Sequence, residues 1–247
     1  MSAALVFFFA AIGIGVPVAF ALGAAGVAYI AVTGQVSMTV LPTIMFGAMD
    51  SFPLLAVPLF IIAGDLMARS GMLERLIDLA KAIVGPMRGG LAQVTISSSM
   101  VFGGISGVSL ADAAAIGKTL IPGLVKEGYP RGFAAAITAS ACVMGAIIPP
   151  SVGMLIIAYI YGGKLSVGRL FLSGIVPGLL IGLTQMVMVA LVAKRRNFPQ
   201  SREPWSIRTI LWKSKSAFFG LGMPIIIIGG IITGFFTPTE AGAVAVA

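Results

Sequence analysis

Small and hydroxylic residues crowd the middle of one apolar stretch of this chain, residues 91–125: Ser97, Ser98, Ser99, Gly103, Gly104, Ser106, Gly107 and Ser109. A second apolar run, 132–162, is broken by Gly145 and by the pair Pro149 and Pro150. Two consecutive prolines remove two backbone donors, so a discontinuous helix is expected there. Interrupted helices expose half-helix ends, each carrying about half a unit of charge. The positive ends attract anions, and unwound carbonyls and negative ends coordinate sodium. Together 97–99, 104–106 and 140–144 supply oxygen atoms for a cation site. The alternative for any one serine is close packing, since small residues let membrane helices approach. Asp112 is the only acid between Asp78 and Glu127. A charge at the bilayer centre costs about 2.5–3.5 kcal/mol on insertion scales, so such an acid has a task or a partner. It can also cap the helix that follows, a role that Ser109 can share.

Enzyme chemistry finds little to work with. Residues 104–107 spell G-x-S-G, the pattern around intramembrane serine nucleophiles, but the chain has no histidine to act as base. Zinc chemistry fails for the same reason, with Cys142 the single cysteine. That count also excludes an intrachain disulfide. No G-x-x-x-x-G-K-[ST] motif is present.

The elements that must hold these residues are membrane helices. Hydrophobic residues make up 58 % of the 247 and charged residues 10 %, against about 25 % charged in a soluble domain. Mean hydropathy is +1.07. Residues 1–49 carry no charge, and about 20 apolar residues suffice to cross the bilayer. The runs lack the alternation of a membrane β-barrel. The expected fold is all-α and polytopic, with about six to seven membrane-embedded segments. These are a first helix over 3–32, bent near Pro17; a polar connector over 35–49; and a span over 54–68. An amphipathic helix over 71–84 follows, with Arg75, Asp78 and Lys81 on one face, lying in the interface plane or in a solvated loop. Arg88 precedes and Lys126 and Arg131 follow the stretch 91–125, so it reads as a re-entrant hairpin with a Gly/Ser tip. Further spans cover 167–193 and 220–236. Residues 237–240 form a turn with proline at the first helical position, opening a helix expected to run on past Ala247.

The net charge of +8 reflects topology rather than nucleic acid. Lys194, Arg195, Arg196, Arg202, Arg208, Lys213 and Lys215 cluster against one acid, Glu203, in a proline-broken loop. Such loops stay cytoplasmic. Counting back places both hairpin flanks, the amphipathic helix and the N-terminus on the same side. So strong a bias argues against two copies inserting antiparallel.

The residues also carry a family resemblance. The stretch 51–67, SFPLLAVPLFIIAGDLM, resembles the second-span signature of the large membrane subunit of TRAP (tripartite ATP-independent periplasmic) transporters, the DctM-like family. GGLA at 89–92, FGGISG at 102–107, ADAAA at 111–115, Ile121 with Pro122, Gly128 with Tyr129, FAAA at 133–136, IIPPS at 147–151 and TPTEA at 237–241 fit the same pattern in order. The resemblance covers the whole chain. It implies a permease of the bacterial cytoplasmic (inner) membrane that imports small organic acids on a sodium gradient, with no cofactor. A small membrane subunit and a periplasmic substrate-binding protein are the implied partners. It also implies an elevator-type fold of two inverted repeats, of which this chain is about the first. Sodium is then implied at the hairpin tip around Ser99, Gly104, Ser106 and Gly107, and at the broken helix around Ser140, Cys142 and Gly145. Asp112, Pro149 and Pro150 serve structure and the helix break. The family often has SGSAVAD where this chain has SGVSLAD at 106–112, and serine, threonine and Gly-Pro where it has Ala141, Cys142, Val143 and Gly145 with Ala146. These departures shift any ligand role there toward backbone carbonyls.

The implied division is 1–90 as framework helices and an arm helix, and 91–163 as part of a transport body, with the hairpin at 91–125 and the broken helix at 131–163. Then come 164–236 as framework with the basic loop 194–215, and 237–247 as the start of a second repeat. Two other readings stay open: an inverted-repeat anion/sodium symporter without a binding protein, and a membrane scaffold that does not transport. A permease coupled to a separate ATPase fits less well, because the basic loop is proline-broken where such a subunit carries a docking helix.

Overall fold

The computed structural model describes residues 2–34, 36–49, 52–162, 164–196, 198 and 205–247. Gln35, Ser51, Gly163, Arg202 and Glu203, which enter the reading above, lie outside the described residues. Every regular element among the described residues is helical. Residues 1–51 form one compact unit and 52–247 another.

In the first unit the expected single bent helix is two helices, α1 (Ser2–Gly13) and α2 (Val18–Thr33). The chain turns at Gly15, whose φ of 87° suits glycine. Pro17 then opens α2 with no N–H to offer the preceding turn. At 1.5 Å per residue α1 spans about 18 Å and α2 about 24 Å. Each falls short of the ~30 Å hydrocarbon core. The expected polar connector is instead largely a helix, α3 (Val40–Met49). Its apolar side chains extend a helical run, and Pro42 is tolerated in the first turn.

The second unit begins with a 3-10 turn, Phe52–Leu55, and α4 (Ala56–Arg69). The chain bends by 70° into α5 (Met72–Val84). Helix α5 buries Leu73, Leu76, Ile77, Leu79, Ala80 and Val84 and leaves Glu74, Arg75, Asp78 and Lys81 exposed, as its periodicity predicts. Then follow α6 (Gly90–Ser106) and α7 (Ser109–Lys126), which pack together as a helical hairpin. Serines 97–99 do not interrupt α6. Thr95 donates to the Leu91 carbonyl at 2.9 Å and Ser97 to the Gln93 carbonyl at 3.0 Å, so the hydroxyls of Thr95 and Ser97 are satisfied along the helix, whereas Ser98 Oγ is buried without a hydrogen-bond partner. The turn lies farther on, at Gly107 and Val108.

The broken element is α8 (Arg131–Cys142), a 3-10 turn Val143–Ala146, a non-helical stretch and α9 (Val152–Ile160). Helix α10 (Val167–Arg196) is the one described helix long and apolar enough to cross a membrane alone. Helix α11 (Ile207–Ser216) lies in the basic segment expected to be a loop, because Ser206 caps it by accepting from Thr209 N–H at 3.4 Å. Helices α12 (Phe218–Thr233) and α13 (Pro238–Val246) complete the described fold. If each bent pair, α4 with α5 and α11 with α12, is one span, the crossings by length and composition rise to three. Length alone therefore does not reach six to seven segments. The hairpin arms and the broken helix are shorter elements. Thr237 and Glu240 form the reciprocal cap expected at α13, with Thr237 N–H donating to Glu240 at 2.8 Å.

Packing around the hairpin depends on missing side chains. Gly174, Gly178 and Gly182 form one stripe of α10 at four-residue spacing, while Val176, Leu180, Leu183 and Val187 are exposed on the opposite face. A Cβ at Gly178 would sit 2.5 Å from Ile148 Cγ1, and one at Gly182 would sit 2.5 Å from Met100 Sδ. The stripe thus lets α10 reach both the break and α6. Gln93 of α6 adds a bond to the Met186 carbonyl of α10 at 2.8 Å.

Gly178→Leu is expected to destabilise the purified protein by about 1–3 kcal/mol in detergent-titration unfolding, through overpacking. Gly229→Ala, where a Cβ would meet nothing within 4 Å, should stay within about 0.5 kcal/mol.

Candidate functional site

Helix α6 ends because Gly107 takes the left-handed conformation, φ 64°, and its N–H returns to the Gly103 carbonyl at 3.1 Å. Its last turn therefore closes on a glycine. Carbonyls in such a turn have no intrahelical donor. Val108 N–H binds Ser106 Oγ at 3.3 Å rather than one of them. Helix α7 starts two residues later and carries Asp112 in its first turn. The Ser106 hydroxyl donates to Asp112 Oδ1. Asp112 Oδ2 is buried with no hydrogen-bond partner.

The broken helix meets this tip directly. A Cβ at Gly103 would lie 2.6 Å from Gly145 Cα, and a Cβ at Gly145 would overlap Asp112 Oδ2. A Cβ at Gly104 would lie 3.3 Å from the Pro149 carbonyl oxygen. Gly107 accepts the Val152 N–H at 3.2 Å, a bond across the two breaks. Ser99 and Cys142, both buried, face each other at 3.7 Å. Helix α4 closes a third side, since a Cβ at Gly64 would lie 2.9 Å from Ser106 Cβ. Pro149 and Pro150 are buried in the connection between halves.

Of the residues singled out from sequence, Ser99, Gly104, Ser106, Gly107, Asp112, Cys142, Gly145, Pro149 and Pro150 converge on this junction. Ser140 does not: its side chain is exposed, and only its carbonyl is engaged, accepting from Gln185 Nε2 at 3.0 Å. Neither Ser109 nor Asp112 caps α7, which follows Val108 with no side-chain cap; Ser109 and two residues not singled out above, Ser151 and Gln185, also shape the junction. Ser151 caps α9 by accepting from Met154 N–H at 3.3 Å and donates to the Ala146 carbonyl at 2.6 Å. Ser109 reaches the Val143 carbonyl at 3.4 Å. Gln185 ties α10 to α8. A lone amide in an apolar span was the available signal for Gln185, and the Pro-Pro-Ser order was the signal for Ser151.

The chemistry is that of oxygen ligands. Asp112 contributes a carboxyl oxygen without a donor, Ser106 a hydroxyl, and the helix ends contribute carbonyls. No cluster of three His, Cys, Asp or Glu side chains that could hold a metal occurs among the described residues. Beside Ser106 opens a crevice of ≈ 950 Å³ between α4 and α7, with Gly64, Asp65, Arg69, Phe102 and Lys118 among its lining residues.

Residues 5–247 match the family described as "Tripartite ATP-independent periplasmic transporter, DctM component". The chain is 42 % identical over 224 residues to the C4-dicarboxylate TRAP transporter large permease protein DctM of Pseudomonas aeruginosa, covering 91 % of this chain and 52 % of that protein. It is 40 % identical over 231 residues to the sialic acid TRAP transporter large permease protein SiaM of Vibrio cholerae, covering 93 % and 53 %. The 2,3-diketo-L-gulonate TRAP transporter large permease protein YiaN of Escherichia coli is 37 % identical over 234 residues, covering 95 % and 54 %. The chain spans about half the length of these relatives.

Gly145→Ala and Asp112→Ala should each destabilise the protein, the first by driving a methyl into the carboxylate. Because both changes act on one contact, the double variant should lose less than the sum. The expected coupling is about 0.5–3 kcal/mol in an unfolding cycle. Strict additivity would show that the contact carries no energy.

Proposed function

This chain belongs to the DctM family of TRAP transporter large permeases, a family of transporter components rather than enzymes, and we propose that it supplies about the first repeat of a sodium-driven importer of small organic acids. The observation that carries the reading is the donorless Asp112 Oδ2 at the meeting point of two interrupted helices. Leaving a buried carboxylate oxygen unpartnered costs free energy unless a cation or proton answers it. Sodium, here a transported ion, suits a site of carbonyl, hydroxyl and carboxylate oxygens. Ser106, bonded to the same carboxylate, supplies a hydroxyl beside it, and the Gly103 and Gly145 backbones admit no side chain that would displace it.

Transport follows from where the site sits. Residues 91–163 form part of a body that carries the ion, and α10 moves with them, since its glycine stripe and Gln185 fasten it to the break. Residues 1–90 and the segment after α10 act as framework, with 237–247 opening a second repeat. The substrate binds between repeats, the usual place in such folds. The crevice between α4 and α7 supplies a path to it. The relatives' names include a C4-dicarboxylate, sialic acid and a diketogulonate, so the common chemistry is a carboxylate. A small membrane subunit and a periplasmic binding protein complete the system in the inner membrane.

The test is uptake by the native permease, reconstituted with its small subunit and binding protein, under a sodium gradient. Uptake should require sodium and should fall at least about tenfold for Ser106→Leu and for Gly104→Leu, each of which fills the junction. Sodium-independent uptake, or no effect of either variant, would sink the reading. Undiminished uptake without the binding protein would instead favour a symporter that works alone.

A further inference from the structure

Helix α11 is fixed in rotation by two contacts with α5. Trp205 Nε1 donates to the Ile83 carbonyl at 2.9 Å, and Lys213 Nζ lies 4.0 Å from Asp78 Oδ2. Ile210 then packs on the core, and Lys213 is turned inward with its side chain 26 % exposed. Of the remaining side chains of the helix only Ser214 is partly buried, and the others are left outward. Ile207 is 77 % exposed, Leu211 66 % and Trp212 71 %. At 100° per residue Arg208, Trp212 and Lys215 share this outer face with Ile207 and Leu211. Arg208 and Lys215 are exposed. Helix α11 contains no acid, and the sequence has none between Glu203 and Glu240. The basic end of α10, Lys194, Arg195 and Arg196, adds to the positive charge of the same segment.

A face that mixes exposed leucine, isoleucine and tryptophan with cations that form no ion pair among the described residues suits neither water nor hydrocarbon alone. It suits the boundary between them, where tryptophan rings settle and basic side chains extend to headgroups. Lys213 makes the pattern selective: the one cation of α11 with a protein acid beside it is turned away, and the two without are turned out. We propose that α11 is a docking surface for anionic phospholipid headgroups, with Arg208 and Lys215 holding the phosphates and Ile207, Leu211 and Trp212 seated among the upper acyl carbons. Through Trp205 and Lys213 this surface pins α5, and so the arm that precedes the hairpin, to the membrane plane.

The test is quenching of Trp212 by brominated lipid in the native permease reconstituted in vesicles. Emission that disappears in Trp212→Phe isolates this residue, whatever other tryptophans the polypeptide carries. Vesicles contain either brominated phosphatidylglycerol or brominated phosphatidylcholine at the same mole fraction, in an otherwise identical mixture. The glycerol lipid should quench Trp212 at least about twofold more strongly, given the attraction of each basic side chain to an anionic leaflet. That preference should vanish in Arg208→Gln/Lys215→Gln and in about 0.5 M salt, which screens surface charge. It should survive in Lys213→Gln, whose charge already faces Asp78. Equal quenching by the two lipids would overturn the proposal by showing an apolar seat without headgroup selection. Absence of quenching by either would overturn it by showing that α11 faces water or another protein.

Discussion

Backbone that stops being helical inside a bilayer leaves amides and carbonyls that only the protein can satisfy. Here two interruptions in apolar runs satisfy each other, and the close approach of Gly103 to Gly145 is what allows it. With no side chain on either, the end of α6 lies against the break after α8, and Val152 N–H reaches the Gly107 carbonyl. Ser151 restarts the helix on the far side, and Ser109 takes up the Val143 carbonyl. A methyl group at Gly145 would displace the Asp112 carboxylate. The junction is therefore held by absent atoms as much as by bonds.

The same constraint explains what surrounds it. Gly64 brings α4 against Ser106, and Gly174, Gly178 and Gly182 bring α10 against Ile147, Ile148, Met154 and Met100. In lipid the hydrophobic effect does little to hold helices together, so close packing and a few amide bonds must do so. Gln93 and Gln185 provide such bonds. A body assembled this way is rigid internally and presents smooth apolar faces elsewhere, as the exposed face of α10 does.

Much of this was legible in the residues. The amphipathic period of α5, the break before Pro149, the cap at Thr237 and the hairpin itself follow from spacing and from proline and glycine chemistry. The convergence of tip and break was also readable, because both interruptions fall in apolar runs that must bury them. Other features were not. Serines 97–99 look like a break but α6 runs through them: Ser97 bonds back along the helix, Ser99 faces Cys142 of α8 and Ser98 is buried, a choice that depends on neighbouring helices. Ser140 resembles a ligand by position, yet the helical turn of about 3.6 residues carries its side chain to the exposed face. Helix α11 hides in a basic segment whose amphipathic face only the contacts with Ile83 and Asp78 orient. The place of α10 beside the hairpin rests on which way its glycine stripe faces, and the sequence carries the stripe but not its direction.

The central claim is that the junction around Asp112 answers to sodium. Its most direct test is thermal unfolding of the native permease in sodium against choline at equal ionic strength. A ligand that binds only the folded state stabilises it by mass action, about 2.7 kcal/mol at a hundredfold excess over Kd. The account predicts a higher Tm in sodium than in choline, rising with sodium concentration, with most of the difference lost in Asp112→Asn. Identical melting in the two salts, or a sodium effect that Asp112→Asn leaves whole, would contradict it.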